Sequence, residues 1–264
     1  MSEQPTVNAL NEFGWFDLSS SDPERARNFY AELLGWSAEV VPDPQAGGYG
    51  FFRYEGKEVA GVGPKQDPNQ PSAWTPYVLV GDANATAAAV KEQGGTMFME
   101  PFDVMGQGIM GIVADPAGAV FGIWQPGIHR GVELKNALGG VCWVDSMSRD
   151  AEASKRFYEA VFGWKATKFE GADAPGEYWT LERDGTGIAG VFPPMQGMPE
   201  NVPSFWQIHF AVGDTDGIAH RAEELGGGVN FGPQDIPGVG RAAGLRDPEG
   251  VTFGILQPLP RQEG

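Results

Sequence analysis

The 264-residue sequence predicts an α+β chain of four βαβββ modules arranged as two tandem domains. Two observations carry that reading. The first is internal repetition: Phe13-Gly14-Trp15-Phe16-Asp17, followed by Asp22, Phe29-Tyr30 and Gly35-Trp36, returns 128 residues on. It reappears as Val141-Cys142-Trp143-Val144-Asp145, followed by Asp150, Phe157-Tyr158 and Gly163-Trp164. The register holds to each copy's end, where Asp115-Pro116-Ala117-Gly118 with Phe121-Gly122-Ile123 matches Asp247-Pro248-Glu249-Gly250 with Phe253-Gly254-Ile255. Self-similarity over such a period marks repeated structural units. The second is the order of hydrophobic patterns within a copy, which runs strand, helix and three strands, twice over.

Element by element, the first copy opens on an alternating strand at Phe13–Asp17. Ser20-Ser21-Asp22-Pro23 then starts a helix, with proline at its first position, where no N–H is needed. Ala26, Phe29-Tyr30 and Leu33-Leu34 give that helix an apolar face, and Gly35 ends it. Short β-like runs near Ala38–Val41, Tyr49–Tyr54 and Glu58–Val62 complete the first module. The second has a strand Pro76–Val80, a helix Ala83–Gln93 stopped by Gly94-Gly95, and runs near Thr96–Met99, Ile109–Ala114 and Val120–Trp124. The second copy repeats the pattern with helices at Glu152–Phe162 and Thr215–Leu225. The expected domains are residues 10–126 and 139–259, joined by an aperiodic linker at 127–138. Residues 42–48, 65–72, 171–176 and 193–203 are loops suited to cap each copy.

A formal charge of −17 with only 18 Lys and Arg argues against a nucleic-acid partner or attachment to an anionic membrane. The single cysteine, Cys142, allows no intrachain disulfide and lies in an apolar strand, as a buried thiol rather than a nucleophile. The first eight residues lack a basic start and an apolar run, and no stretch reaches the ~18 apolar residues of a membrane span, so the expected location is the cytoplasm.

With Asp22, Phe29-Tyr30 and Leu34-Gly35-Trp36 after the first strand and Asp-Pro-x-Gly before the last, the chain resembles the vicinal oxygen chelate superfamily. That superfamily includes glyoxalase I, extradiol dioxygenases and bleomycin-resistance proteins. The Trp-x-Asp of the first strand is similar to that of a tandem actinobacterial group labelled hydroxylase or glyoxalase-like. The resemblance implies that paired modules curl into cups. It also implies a divalent metal held by His or Gln on the first strand of a module and Glu on the fourth. Counting back seven residues from Asp22, Asp82, Asp150 and Asp214 places Trp15, Thr75, Trp143 and Gln207 at the former positions. Gly61, Gly122, Gly190 and Gly254 fall at the latter. Only Gln207 carries a donor, so no metal and no other cofactor is expected.

Alternation along the strands turns Trp15, Asp17, Thr75, Tyr77, Val120 and Trp124 into one cup and Trp143, Asp145, Gln207, His209, Thr252 and Leu256 into the other. The four glycines leave room opposite the indoles for a flat molecule. Trp15, Asp17, Thr75, Tyr77, Trp124, Trp143, Gln207 and Leu256 are therefore the expected ligand-binding residues. Asp145 and His209 are the candidate proton-transfer groups, His209 having Tyr77 as its counterpart. His129, in the linker, and His220, on a helix, read as surface residues. Three functions fit. One is a metal-independent protein binding an aromatic, carbonyl-bearing or basic small molecule. Another is a metal-independent lyase, isomerase or cyclase, or a hydroxylase-labelled enzyme, using Asp145 and His209. The last is a scaffold whose cups are filled by their own tryptophans. The chain is expected to act as a monomer or a homodimer.

Overall fold

The computed structural model describes residues 8–170 and 177–259. In the first copy the strand β1 (Phe13–Ser20) leads into helix α1 (Pro23–Leu34) and the strands β2 (Ser37–Val40), β3 (Gly50–Tyr54) and β4 (Lys57–Pro64). The second module runs β5 (Ala73–Leu79), α2 (Ala83–Glu92), β6 (Thr96–Asp103), β7 (Gly108–Ala114) and β8 (Val120–Pro126). The second copy repeats this as β9 (Val141–Met147), α3 (Ala151–Phe162), β10 (Lys165–Lys168), β11 (Trp179–Arg183) and β12 (Thr186–Phe192). It closes with β13 (Phe205–Ala211), α4 (Thr215–Glu224), β14 (Gly228–Ile236), β15 (Gly240–Arg246) and β16 (Thr252–Pro258). The expected loop at 171–176 and residues 1–7 lie outside the described residues.

Each helix starts on an aspartate. Asp22, Asp82, Asp150 and Asp214 accept from the backbone N–H three residues on, at 3.1, 2.9, 2.9 and 3.0 Å, filling donors that a helix start leaves open. Gly35 and Gly163 end α1 and α3 in the left-handed conformation at φ 68° and 74°.

The strands form one eight-stranded sheet per copy, in the orders β2-β3-β4-β1-β5-β8-β7-β6 and β10-β11-β12-β9-β13-β16-β15-β14. Modules join where β1 runs antiparallel to β5 and β9 to β13. The flanking pairs β1–β4, β5–β8, β12–β9 and β13–β16 are parallel. This join sets Trp15 and Asp17 across from Tyr77 and Thr75, and Trp143 and Asp145 across from His209 and Gln207.

Several strands exceed their expected length, β5 and β6 among them. β5 begins at Ala73, and Pro76 is tolerated because β8 pairs with β5 only from Tyr77 onward. β6 continues past Met99 to Asp103 because register shifts at Met97/Met99 and Met99/Phe102 bend the strand without ending it.

On the faces turned from the cups, the copies pack on each other. Trp74 meets Phe210 edge-on at 5.4 Å between ring centres, Phe13 meets Trp206 at 4.8 Å, and Tyr30 meets Phe253 at 5.3 Å. The Tyr30 hydroxyl accepts from Trp74 Nε1 at 2.9 Å and reaches Asp247 of the other copy at 3.3 Å. Tyr158 repeats this, accepting from Trp206 Nε1 at 3.0 Å and donating to Asp115 at 3.1 Å. Each Asp-Pro-x-Gly turn is thus tied to the helix of the opposite copy. Among the described residues no helix is long and apolar enough to cross a membrane.

Candidate functional site

Both cups are built around the aspartate of the Trp-x-Asp pair. In the first, Asp17 Oδ1 accepts from Trp15 Nε1 at 2.9 Å and from the Tyr49 hydroxyl at 2.5 Å. In the second, Asp145 Oδ1 accepts from Trp143 Nε1 at 3.0 Å and the Tyr178 hydroxyl at 2.6 Å. Trp143 Nε1 also lies 2.8 Å from the Tyr178 oxygen. A carboxylate taken from water needs such donors. Burial nevertheless pushes the Asp17 carboxyl above its ordinary range, against the pull of Tyr49, Trp15 and the nearby His129. Burial and the adjoining carboxylates push the phenols of Tyr49, Tyr77 and Tyr178 up as well, so they serve as neutral donors.

Tyr49 and Tyr178 are absent from the expected lining. Their signal was the repeat itself: they stand 129 residues apart, the same offset as Gly56 and Gly185, immediately before equivalent strands.

The glycines correct two expectations. Gly61 pairs with Asp17, Gly122 with Tyr77, Gly190 with Asp145 and Gly254 with His209. The donors beside the glycines are therefore Asp17, Tyr77, Asp145 and His209, two residues on from the positions reached by counting back from the helix caps. The room at the glycines is also taken by the chain itself. A Cβ on Gly61 would overlap the Tyr49 hydroxyl and Asp17 Oδ1, and one on Gly190 the Tyr178 hydroxyl and Asp145 Oδ1. On Gly122 it would strike the Tyr77 ring and on Gly254 the His209 ring. No flat molecule enters there.

The superfamily's metal does not fit this donor set. Beside the glycines, one cup offers a carboxylate and two neutral phenols, the other a carboxylate, an imidazole and one phenol. Among the described residues no three His, Cys, Asp or Glu side chains converge.

Asp145 Oδ2 is 2.9 Å from His209 Nε2, with both side chains largely buried, yet Nε2 has no aligned hydrogen bond. Thr75 and Gln207 share the cup faces but stand across from Asp17 and Asp145 without a side-chain hydrogen bond of their own among the described residues. Cys142 donates to the His209 carbonyl at 3.4 Å, and burial pushes its thiol up to about 12, which removes it as a nucleophile.

Above the aspartates the cups differ. In the first, His129 is not a surface residue as expected. Its ring lies edge-on to Trp15 at 4.2 Å, near-parallel to Phe51 at 5.9 Å and edge-on to Trp124 at 5.7 Å. Trp124 Nε1 donates to the His129 carbonyl at 3.1 Å. His220, by contrast, is exposed on α4 as expected. In the second cup the counterparts of Phe51, Glu58 and Trp124 are Thr180, Gly187 and Leu256. Beside this cup a cleft of about 640 Å³ opens against Trp143, Gly187 and Leu256 and runs along the junction with the first copy past Glu12, Phe13, Lys135 and Val144, without touching Asp145, Tyr178, Gln207 or His209. Glu12 is held by Lys135 at 3.1 Å and Arg183 at 2.9 Å.

Comparison with known proteins agrees with this architecture. The model of the Glyoxalase/Bleomycin resistance protein/Dioxygenase superfamily matches residues 12–123 and 141–255. The chain is 36% identical over 253 residues to "Putative glyoxylase CFP32" of Mycobacterium bovis, covering 94% of this chain and 95% of that protein. It is 38% identical over 259 residues to "Anthracycline biosynthesis protein DnrV" of Streptomyces peucetius, covering 92% of each. In fold it is similar to the Mn(II)-bound glyoxalase from Novosphingobium aromaticivorans, with a TM-score of 0.64 and 17% identity over 95% of this chain and 83% of that one. Paired βαβββ modules in each copy, matched twice along the sequence, place this chain in the Glyoxalase/Bleomycin resistance protein/Dioxygenase superfamily.

Proposed function

We propose that the protein binds a flat, neutral, carbonyl-bearing aromatic molecule at the mouth of its second cup, without a metal. The observation that carries this reading is the cleft that continues along the junction with the first copy from Trp143, Gly187 and Leu256, the counterparts of three residues around the His129 imidazole of the first cup. An open concave site with an aromatic wall and few polar groups is the usual form of a small-molecule site. Neutrality follows from what the cleft lacks. Gly187 replaces Glu58, and Glu12 is already neutralised by Lys135 and Arg183, so among the described residues lining the cleft a basic ligand finds no free carboxylate. A relative named for anthracycline biosynthesis supports a fused-ring ligand of this shape.

A second reading rests on the Asp145–His209 contact, which the first cup lacks because Tyr77 stands in place of the histidine. In it Asp145 orients His209 for proton transfer, the chemistry of an isomerase, lyase or cyclase.

The test is titration of chelator-treated protein with fused-ring ketones and quinones, followed by tryptophan emission and calorimetry. The expected result is one site per chain, indifferent to added divalent metal and weakened about tenfold or more in Trp143→Ala. Binding that requires metal, or that ignores Trp143→Ala, overturns the reading. Turnover lost in His209→Ala and Asp145→Asn with binding kept selects the second.

A further inference from the structure

We infer that the first cup is a site for a small heteroaromatic base, and that the chain's own linker fills it with the imidazole of His129. The argument begins with which linker residue turns inward. Ile128 is 75% exposed, while the side chain of His129 beside it is 14% exposed. Hydrophobic burial alone would favour the isoleucine in a cup of indoles and phenyl rings. The cup instead holds the residue that is both flat and basic.

The surroundings of the ring account for that choice. Trp15, Phe51 and Trp124 bound it on three sides, and Glu58 Oε2 stands 3.5 Å from Nε2. Aromatic walls with one carboxylate suit an imidazole ring and its N–H better than any aliphatic side chain. The backbone holds the ring in place: the His129 N–H donates to the Gln107 carbonyl at 3.1 Å, Gly127 donates to the same carbonyl at 3.0 Å, and Trp124 Nε1 donates to the His129 carbonyl. The linker therefore enters as a tethered ligand rather than as a strand of the sheet. In the second cup Thr180, Gly187 and Leu256 replace Phe51, Glu58 and Trp124, so the same base would lose two rings and its carboxylate. The two cups thus recognise different chemistry.

The experiment is chemical rescue of His129→Ala by 4-methylimidazole, the side chain without its tether. It reads the first cup whatever the second binds, so it stands or falls separately from the proposal above. His129→Ala is expected to melt several degrees below the wild type. 4-Methylimidazole should restore most of that loss saturably, while toluene, which has the shape without the nitrogen, restores little. The wild type, its cup already filled, should not respond. Glu58→Gln in the His129→Ala background should weaken the rescue several-fold. If His129→Ala does not fold alone, recovery of soluble protein on refolding with 4-methylimidazole supports the inference, and failure to recover it overturns it. A variant as stable as the wild type, equal rescue by toluene, or an equal response of the wild type also overturns it.

Discussion

A carboxylate two residues beyond a tryptophan on one strand face is costly unless something meets it, and Asp17 shows what does. Trp15, Tyr49 and the nearby His129 favour its charged form, yet burial outweighs them and raises the carboxyl above its ordinary range. Such a shift is a statement about stability. The folded state holds its proton to higher pH than the unfolded chain, whose aspartate releases it near pH ~4. Asp17 therefore contributes most below that point, and the contribution is lost as pH rises through the folded value. Glu58 has the opposite sign: His129 beside it, then Arg53, hold its carboxyl below the ordinary range, so its contribution is lost on acidification. Asp17→Asn removes the first effect alone. Urea unfolding of both proteins from about pH 4 to pH 7 should show the variant gaining on the wild type as pH rises. A pH-independent difference would mean that burial does not govern this carboxyl. The Trp-x-Asp pair was legible because alternation fixes which side chains share a face. Its tyrosine partners were not, since Tyr49 and Tyr178 precede their strands and reach the aspartates only through the pairing of neighbouring strands.

At the level of elements, the order of strands and helices was legible because every helix begins on aspartate and α1 and α3 end on glycine, local signals that need no tertiary context. Strand ends were less so, because bulges in β6 and partial pairing beside Pro76 depend on neighbours distant in sequence. The Phe-Tyr pairs of α1 and α3 predicted an apolar helix face but gave no sign of the polar task of the tyrosines. Tyr158 links Trp206 of its own copy to the buried Asp115 of the other, and Ser154 donates to that same carboxylate at 2.6 Å. Tyr158→Phe keeps the ring and removes only the hydroxyl. Trp206 Nε1 then loses its acceptor and Asp115 one of its donors in a dry interior, a cost of about 1–3 kcal/mol. The expected result is a lower urea midpoint with an unchanged slope. A neutral substitution would show that the hydroxyl makes no net contribution.

For the whole molecule, the repeat announced two equal domains, and the chain has made them unequal and inseparable. The inequality comes from a handful of side chains. Phe51, Glu58 and Trp124 receive the linker's imidazole in one cup, whereas Thr180, Gly187 and Leu256 stand at those places in the other. No periodicity marks such a contact, because it depends on the volume left between four strands rather than on any pattern along one of them. The inseparability comes from exchange between copies. Trp36 donates to the Gly139 carbonyl at 2.8 Å and Trp164 to the Asn11 carbonyl at 2.7 Å, each across the junction. The carboxylate of Glu249 meets Ser20 and Ser21 at the start of α1, and Tyr30 and Tyr158 each reach an aspartate of the opposite copy. The faces that either copy would expose alone carry Trp74, Phe210 and Phe253, so separating them would put large aromatics in water at a cost of about 1.5–3 kcal/mol for a phenylalanine-sized side chain. Two copies joined only by a linker would melt independently, whereas copies that share a core unfold together. Thermal unfolding followed by tryptophan emission, far-UV circular dichroism and calorimetry should therefore give one coincident transition, with calorimetric and van't Hoff enthalpies in agreement. His129→Ala, which touches only the first cup, should lower that single midpoint rather than split it, because a copy weakened at its cup still shares its other face with its neighbour.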